Sequence, residues 1–197
     1  MEQRPEALQH FVDAALAAFG EFASAPQSRH SVAQASAALQ RGGAHPSRPA
    51  ARLPVCAQLP AALGIETRSA SLDRLVERFR AIEPQLVWRK RADTTRTASA
   101  NFEDGHANAM IVGPNGLEQR EDVWLGVSLL APHVRYPDHN HAPEEVYLVL
   151  SPGEFRQGDG DWFQPGIGGS FYNVPNIKHA MRALDAPLLA FWMLRTQ

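Results

Sequence analysis

His139, His141, Glu145 and Tyr147 stand at odd positions of one short stretch, while Val146, Leu148 and Leu150 take the even ones. Side chains alternate faces along a strand, so an extended chain here has one polar face and one aliphatic face. Burying such a polar face is costly unless it is paired or bound to a cation. The stretch therefore favours a strand set between an apolar core and a cavity that holds positive charge. Pro143 distorts a regular ladder at this point. His179 follows in a second short motif, after Gly169 and Pro175. A His-x-His pair alone is common on exposed strands; Glu145 and His179 turn the pair into a candidate metal site. Three imidazoles and a carboxylate suit zinc, iron, nickel, cobalt or manganese, and the ligand type does not choose among them.

The pattern of the chain changes near residue 100. Before it, Leu8, Phe11, Val12, Ala15 and Phe19 recur at helical spacing, with Gly20 as a break or an end. An alanine-rich helix is expected from about His30 to Leu39, stopping before Gly42-Gly43. Pro46, Pro49, Pro54 and Pro60 make residues 44–60 a connecting loop, and the segment Gly42–Pro60 could be a mobile gate or a static link. A third helix carries Leu72, Leu75, Val76, Phe79 and Ile82, with Ser71 as its N-cap and Pro84 at its end. After residue 100, short apolar runs alternate with turns. The runs are Ala109–Val112, Val123–Leu130, Val146–Leu150 and Leu188–Leu194. Short strands separated by glycine- and proline-rich turns indicate a β-sandwich or barrel. The layout expected is a helical segment over residues 1–100, packed on a β-barrel over residues 101–197 that carries the metal site.

Composition narrows the function. At 197 residues and 44% hydrophobic, the chain can bury a core. A net charge of −2 leaves no basic surplus for a phosphate backbone, so nucleic acid is not an expected partner. Cys56 is the only cysteine, which suits a reducing compartment. The first residues are charged and lack a signal-peptide apolar core, and no apolar run reaches membrane-spanning length. A soluble cytoplasmic protein, monomer or homodimer, is the expectation. His10, His30 and His45 read as surface residues, and His106 and His133 stay open. Glu144, of opposite parity to Glu145, reads as solvent-facing.

The residues His139-x-His141-x3-Glu145, followed by Gly169-x5-Pro175 and His179, resemble the two motifs of the cupin superfamily. The resemblance implies a mainly β fold, the cupin barrel (a double-stranded β-helix or jelly roll). There are departures. His133 stands where the first motif has a glycine, Gly153 falls one residue late, His179 comes one residue early, and Ala183 replaces an asparagine. Within the superfamily, the run from Tyr136 to Glu154 and the run from Tyr172 to Arg182 look like the dimethylsulfoniopropionate lyases of the DddQ type. That likeness covers about residues 121–195 in detail; before them it is only architectural.

The resemblance implies one divalent transition metal held by His141, Glu145 and His179, with Tyr147 on or near it, and zinc or iron ahead of nickel, cobalt and manganese. Tyr136 and His139 are implied in substrate handling, while the general cupin pattern makes His139 a fourth ligand; both roles stay open. The implied reaction is β-elimination of a sulfonium carboxylate to dimethyl sulfide and acrylate. Tyr147 is the first candidate for the base that takes the α-proton, and Tyr136 the second. Aromatic faces attract a sulfonium, and Tyr136, Trp162, Tyr172 and Trp192 are the candidate walls. Trp124 and Phe191 read as core packing. The alternatives are another metal-dependent reaction on the same fold, such as a dioxygenase or an isomerase, or a protein that binds a small molecule without turnover.

Overall fold

The structure, a computed structural model, describes residues 3–91 and 96–196. The chain ends and residues 92–95, near the junction expected between the two regions, lie outside the described residues. Two long helices open the chain, α1 (Glu6–Phe22) and α2 (Pro26–Leu39). A short helix, α3 (Leu59–Leu63), and a longer one, α4 (Ala70–Ile82), follow. The strands are β1 (Trp88–Arg89), β2 (His106–Val112), β3 (Val123–Leu130), β4 (Glu144–Val149), β5 (Glu154–Gln157), β6 (Ser170–Asn173), β7 (His179–Arg182) and β8 (Leu188–Arg195). One helical turn, α5 (Phe102–Gly105), precedes β2.

The apolar stripe of α1 is the one expected, and it runs through Gly20 to Phe22. Gly20 is no break, because a helix tolerates an exposed glycine at a cost of about 1 kcal/mol. Residues 54–63 are not a plain loop: Pro54 opens a 3₁₀ turn and Pro60 sits in the first turn of α3. The first turn of a helix has no use for the missing N–H. Ser69, rather than Ser71, caps α4 and accepts from the Leu72 N–H. Ser69 has the extended backbone that a cap needs, with φ −140° and ψ 125°.

Six strands form an antiparallel sheet in the order β1-β2-β3-β8-β4-β6, and β5 pairs with β7 in a separate ribbon. The expected cupin barrel is thus present, with helices on its outer face. Alternation divides the large sheet. Val123, Leu125, Val127, Val146, Leu148, Phe191 and Met193 pack on one face with α1, α2 and α4. Phe11 of α1, Phe79 of α4 and Phe191 of β8 meet at ring distances of 5.1–6.1 Å. Each such buried side chain contributes about 1.5–3 kcal/mol. The opposite face carries Tyr147, Val149 and Ala190 and packs against Phe155 and Met181 of the ribbon. Segment 135–139 bridges to β7 at Arg135–Arg182 and His139–His179, so it runs along the ribbon's edge.

One departure from the cupin motifs shows in the backbone. His133, at the position of the missing glycine, has φ +61°, and Asn176, just after Pro175, has φ +62°. Both residues adopt left-handed backbone and carry the steric cost that a glycine there would avoid.

A buried ion cluster ties the N-terminus to the barrel. The Arg4 guanidinium donates to Glu118 at 2.5 and 3.1 Å and to the Leu39 carbonyl. Burial would raise the Glu118 carboxyl, but Arg4, with Gly43 N–H and Arg120, holds it below its ordinary value. No described helix is long and apolar enough to cross a membrane.

Candidate active site

Two elements and the segment before them build the site. Strand β4 supplies Glu145 and Tyr147 at successive inward positions, β7 begins at His179, and His139 and His141 lie on the segment leading into β4. Each imidazole is oriented by its own backbone. Nδ1 of His139 meets the Pro137 carbonyl at 2.9 Å, that of His141 the Pro143 carbonyl at 2.8 Å, and that of His179 the Ile177 carbonyl at 3.0 Å. A carbonyl only accepts, so Nδ1 carries the proton and Nε2 is left with a lone pair.

The Nε2 atoms of His141 and His179 each lie 3.3 Å from Oε2 of Glu145. Donor atoms of these three residues all fall within 4.8 Å of one another. Both Nε2 atoms are buried and have no hydrogen-bond partner among the described residues. Two lone pairs and a carboxylate aimed at one point repel one another unless a cation sits between them. The donor set therefore fits a divalent transition metal, whose usual ligands are neutral imidazole and carboxylate. Asn173 Nδ2 donates to Glu145 at 2.9 Å and holds the carboxylate in place.

The charges follow from burial and neighbours. Burial opposes ionisation of Glu145, but His141 and His179 beside it hold its carboxyl well below the ordinary range. Burial also opposes a charged His141, yet Glu145 outweighs it and raises that pKa. His139 is pushed down to about 3 by burial and then by His179, so it is neutral. Its ring lies 4.0 Å from that of His179, beside the three-donor cluster.

A cavity of about 260 Å³ opens at the cluster. His139, His141, Glu145, Tyr136 and Tyr147 line one part of it, and Met110, Trp124, Trp192 and the exposed Arg91 another. Burial pushes both tyrosines above the ordinary phenol range, and Glu145 beside Tyr147 pushes it further. Nearby Arg91 and the hydrogen bond from Asn108 work the other way at Tyr136.

The described structure brings together Tyr136, His139, His141, Glu145, Tyr147, His179 and Trp192. It places Trp162 and Tyr172 elsewhere. Trp162 stacks among the guanidiniums of Arg182, Arg156 and Arg135, at 4.3, 5.1 and 5.5 Å. Tyr172 pairs with Val146 and shares its helical face, and its hydroxyl donates to Glu144. Glu144 is thus partly buried rather than turned to solvent. Trp124, read as core, lines the cavity, whereas Phe191 is core. Asn108, Ser128 and Arg91 went unread. The first two had a signal: His106, Asn108 and Met110 alternate with alanine and isoleucine in β2, as do Trp124, Gly126 and Ser128 with aliphatics in β3. Arg91 had none.

Comparison with known proteins decides the family. The dimethylsulfoniopropionate lyase family model matches residues 27–190. The chain belongs to that family. It is 29% identical over 140 residues to the DddL protein of Cereibacter sphaeroides. That match covers 70% of this chain and 57% of DddL, so the chain spans little more than half of that relative's length. Among solved structures, one from a study of the dimethylsulfoniopropionate lyases RdDddP and RnDddQII is 25% identical, with a TM-score of 0.68 over 96% of this chain and 92% of the other. The lyase DddQ of Ruegeria pomeroyi is 20% identical, with a TM-score of 0.69 over 98% and 93%, and shares the fold.

Proposed function

We propose that this protein is a metal-dependent lyase that splits dimethylsulfoniopropionate into dimethyl sulfide and acrylate. The observation that carries the reading is the convergence of His141, Glu145 and His179, the first two on the wall of a cavity that is also lined by two tyrosines and two tryptophans. Family membership supports it, and relatives of the same fold bear the lyase name.

A divalent cation held by His141, Glu145 and His179 would supply Lewis acidity toward the substrate's carboxylate and would favour the phenolate of Tyr147. The protein's own groups do the rest. Tyr147 takes the proton from the carbon next to the carboxylate. Those electrons form the new carbon–carbon double bond, and the carbon–sulfur bond breaks with its pair left on sulfur. Acrylate and neutral dimethyl sulfide result, and the proton stays on Tyr147. The leaving group departs uncharged and needs no acid. Trp124, Trp192 and Tyr136 offer ring faces to the sulfonium, each worth about 0.5–2 kcal/mol. Met110 adds a polarizable apolar contact.

Headspace gas chromatography for dimethyl sulfide tests the reading. Purified protein is given dimethylsulfoniopropionate, with and without a chelator and metal add-back. Metal-dependent release above the spontaneous alkaline background is the expected result. No release from folded, metal-loaded protein would remove the substrate, and oxygen consumption or sugar isomerisation would then be measured on the same sample.

A further inference from the structure

Four side chains outside the metal cluster form a continuous chain ending on Tyr136. Trp192 Nε1 lies 3.0 Å from Ser128 Oγ. Ser128 Oγ lies 2.7 Å from Asn108 Oδ1, and Asn108 Nδ2 lies 2.9 Å from the Tyr136 hydroxyl oxygen. The residues come from β8, β3, β2 and the segment before β4, so the chain crosses three neighbouring strands. Gly126 makes room for it, because a Cβ there would meet the Trp192 ring at 2.2 Å.

The direction of every bond is set at the indole. An indole N–H only donates, so Ser128 Oγ must accept from it. The serine proton then goes to Asn108, which must turn its carbonyl oxygen toward Ser128. The amide's NH₂ is left facing Tyr136 and donates to the phenol oxygen. The Arg91 guanidinium lies 6.0 Å from the centre of the Tyr136 ring and adds positive charge beside it. His106 positions Arg91. Its Nδ1 meets the Phe102 carbonyl, and its Nε2 accepts the Arg91 backbone N–H at 2.7 Å. With a donor on its oxygen, Tyr136 has no acceptor for its own proton among the described residues, and that proton is directed into the cavity.

We infer that Asn108 and Ser128, oriented by Trp192, are positioning residues that make Tyr136 a hydrogen-bond donor to the carboxylate of the bound substrate. The inference rests on the proposed substrate class for the site but does not require turnover. Acrylate, the simplest carboxylate the reaction produces, serves as the probe.

Two substitutions break the relay in different ways. Ser128→Ala frees the Asn108 amide to flip without adding charge. Asn108→Asp puts an acceptor opposite Tyr136 and draws its proton out of the cavity. Each is made alone and in a Tyr136→Phe background, with metal content and the thermal midpoint checked. The KM for dimethylsulfoniopropionate and the Kd for acrylate, from calorimetric titration of metal-loaded protein, are then compared. Ser128→Ala is expected to raise both about tenfold where Tyr136 is present, and less than about twofold in the Tyr136→Phe background. Among the described residues the hydrogen bonds link Ser128 to Tyr136 through Asn108, so that coupling runs by the relay. Equal losses in both backgrounds would mean a merely structural role and overturn the inference, as would no loss or no binding of acrylate by the unsubstituted protein. If that protein binds acrylate with the expected pattern but releases no dimethyl sulfide, the lyase reading fails and the relay stands.

Discussion

On the helical face of the large sheet, Val127, Val146, Leu148 and Phe191 pack into one apolar cluster with the helices. On the cavity face, their sequence neighbours Ser128, Glu145, Tyr147 and Trp192 carry hydrogen bonds, charge and open space. The two faces are built from alternate residues of the same strands. One is close-packed and supplies burial energy; the other spends part of that stability on groups that would rather be hydrated. A site of this kind can exist because the opposite face makes the strands rigid, and each face should answer differently to mutation.

The largest effect is expected at the donor cluster. His141→Ala removes one of three converging donors and should abolish both metal retention and turnover, as metal analysis and headspace assay would record. A fully metallated, active variant would refute the site. On the other face, Phe191→Ala should cost about 3–5 kcal/mol of stability. Protein that still folds should bind metal normally, and a loss of metal without a drop in the thermal midpoint would mean the faces are not separable.

Tyr147→Phe sharpens the division within the cavity face. It should keep the metal and lose turnover, because the ring stays and the hydroxyl goes. Nearly full turnover would transfer the base role to Tyr136.

Acid should expose the burden of the cavity face next. His106 is pushed down by burial, and His139 is lowered to about 3. An unfolded histidine titrates near about 6.5, so below that pH the unfolded chain binds protons that the native state refuses. Stability falls as pH drops from there toward about 3. Glu118 acts in the same sense lower down, because a depressed carboxyl stabilises above its unfolded pKa and loses that contribution as pH falls. His141, raised by Glu145, acts in the opposite sense, but two lowered histidines and the lowered Glu118 and Glu145 outweigh it, so the thermal midpoint should decline from neutral pH into acid; a midpoint that rises throughout acidification would contradict these assignments. The smallest effect is expected at Trp162→Ala, which lies outside the cavity and should leave KM within about twofold while disturbing the arginines around it. A KM change well beyond twofold would place Trp162 in the cavity wall.

Much of this was legible in the chain. Val123–Leu130 was readable as a strand because eight consecutive apolar or small residues end in Pro132 signals, and β3 has those bounds. The parity of Glu145 and Tyr147 against Val146 and Leu148 predicted which side chains turn inward. The four-residue strands β5, β6 and β7 were not legible, since so short a stretch carries little periodicity and its pairing is distant in sequence. The cap at Ser69 was missed by two residues because several hydroxyl residues compete there and backbone geometry chooses among them.

The sequence by itself determined the alternation, the candidate donor types and their spacing, because these depend on neighbours along the chain. Tertiary structure decided which aromatics line the cavity. Trp124 and Trp192 face it and Trp162 and Tyr172 do not, since strand register and a cluster of arginines, not residue type, set where each ring is placed. The relay on Tyr136 belongs to the same class: four residues from four parts of the chain acquire a common direction only when β2, β3 and β8 lie side by side.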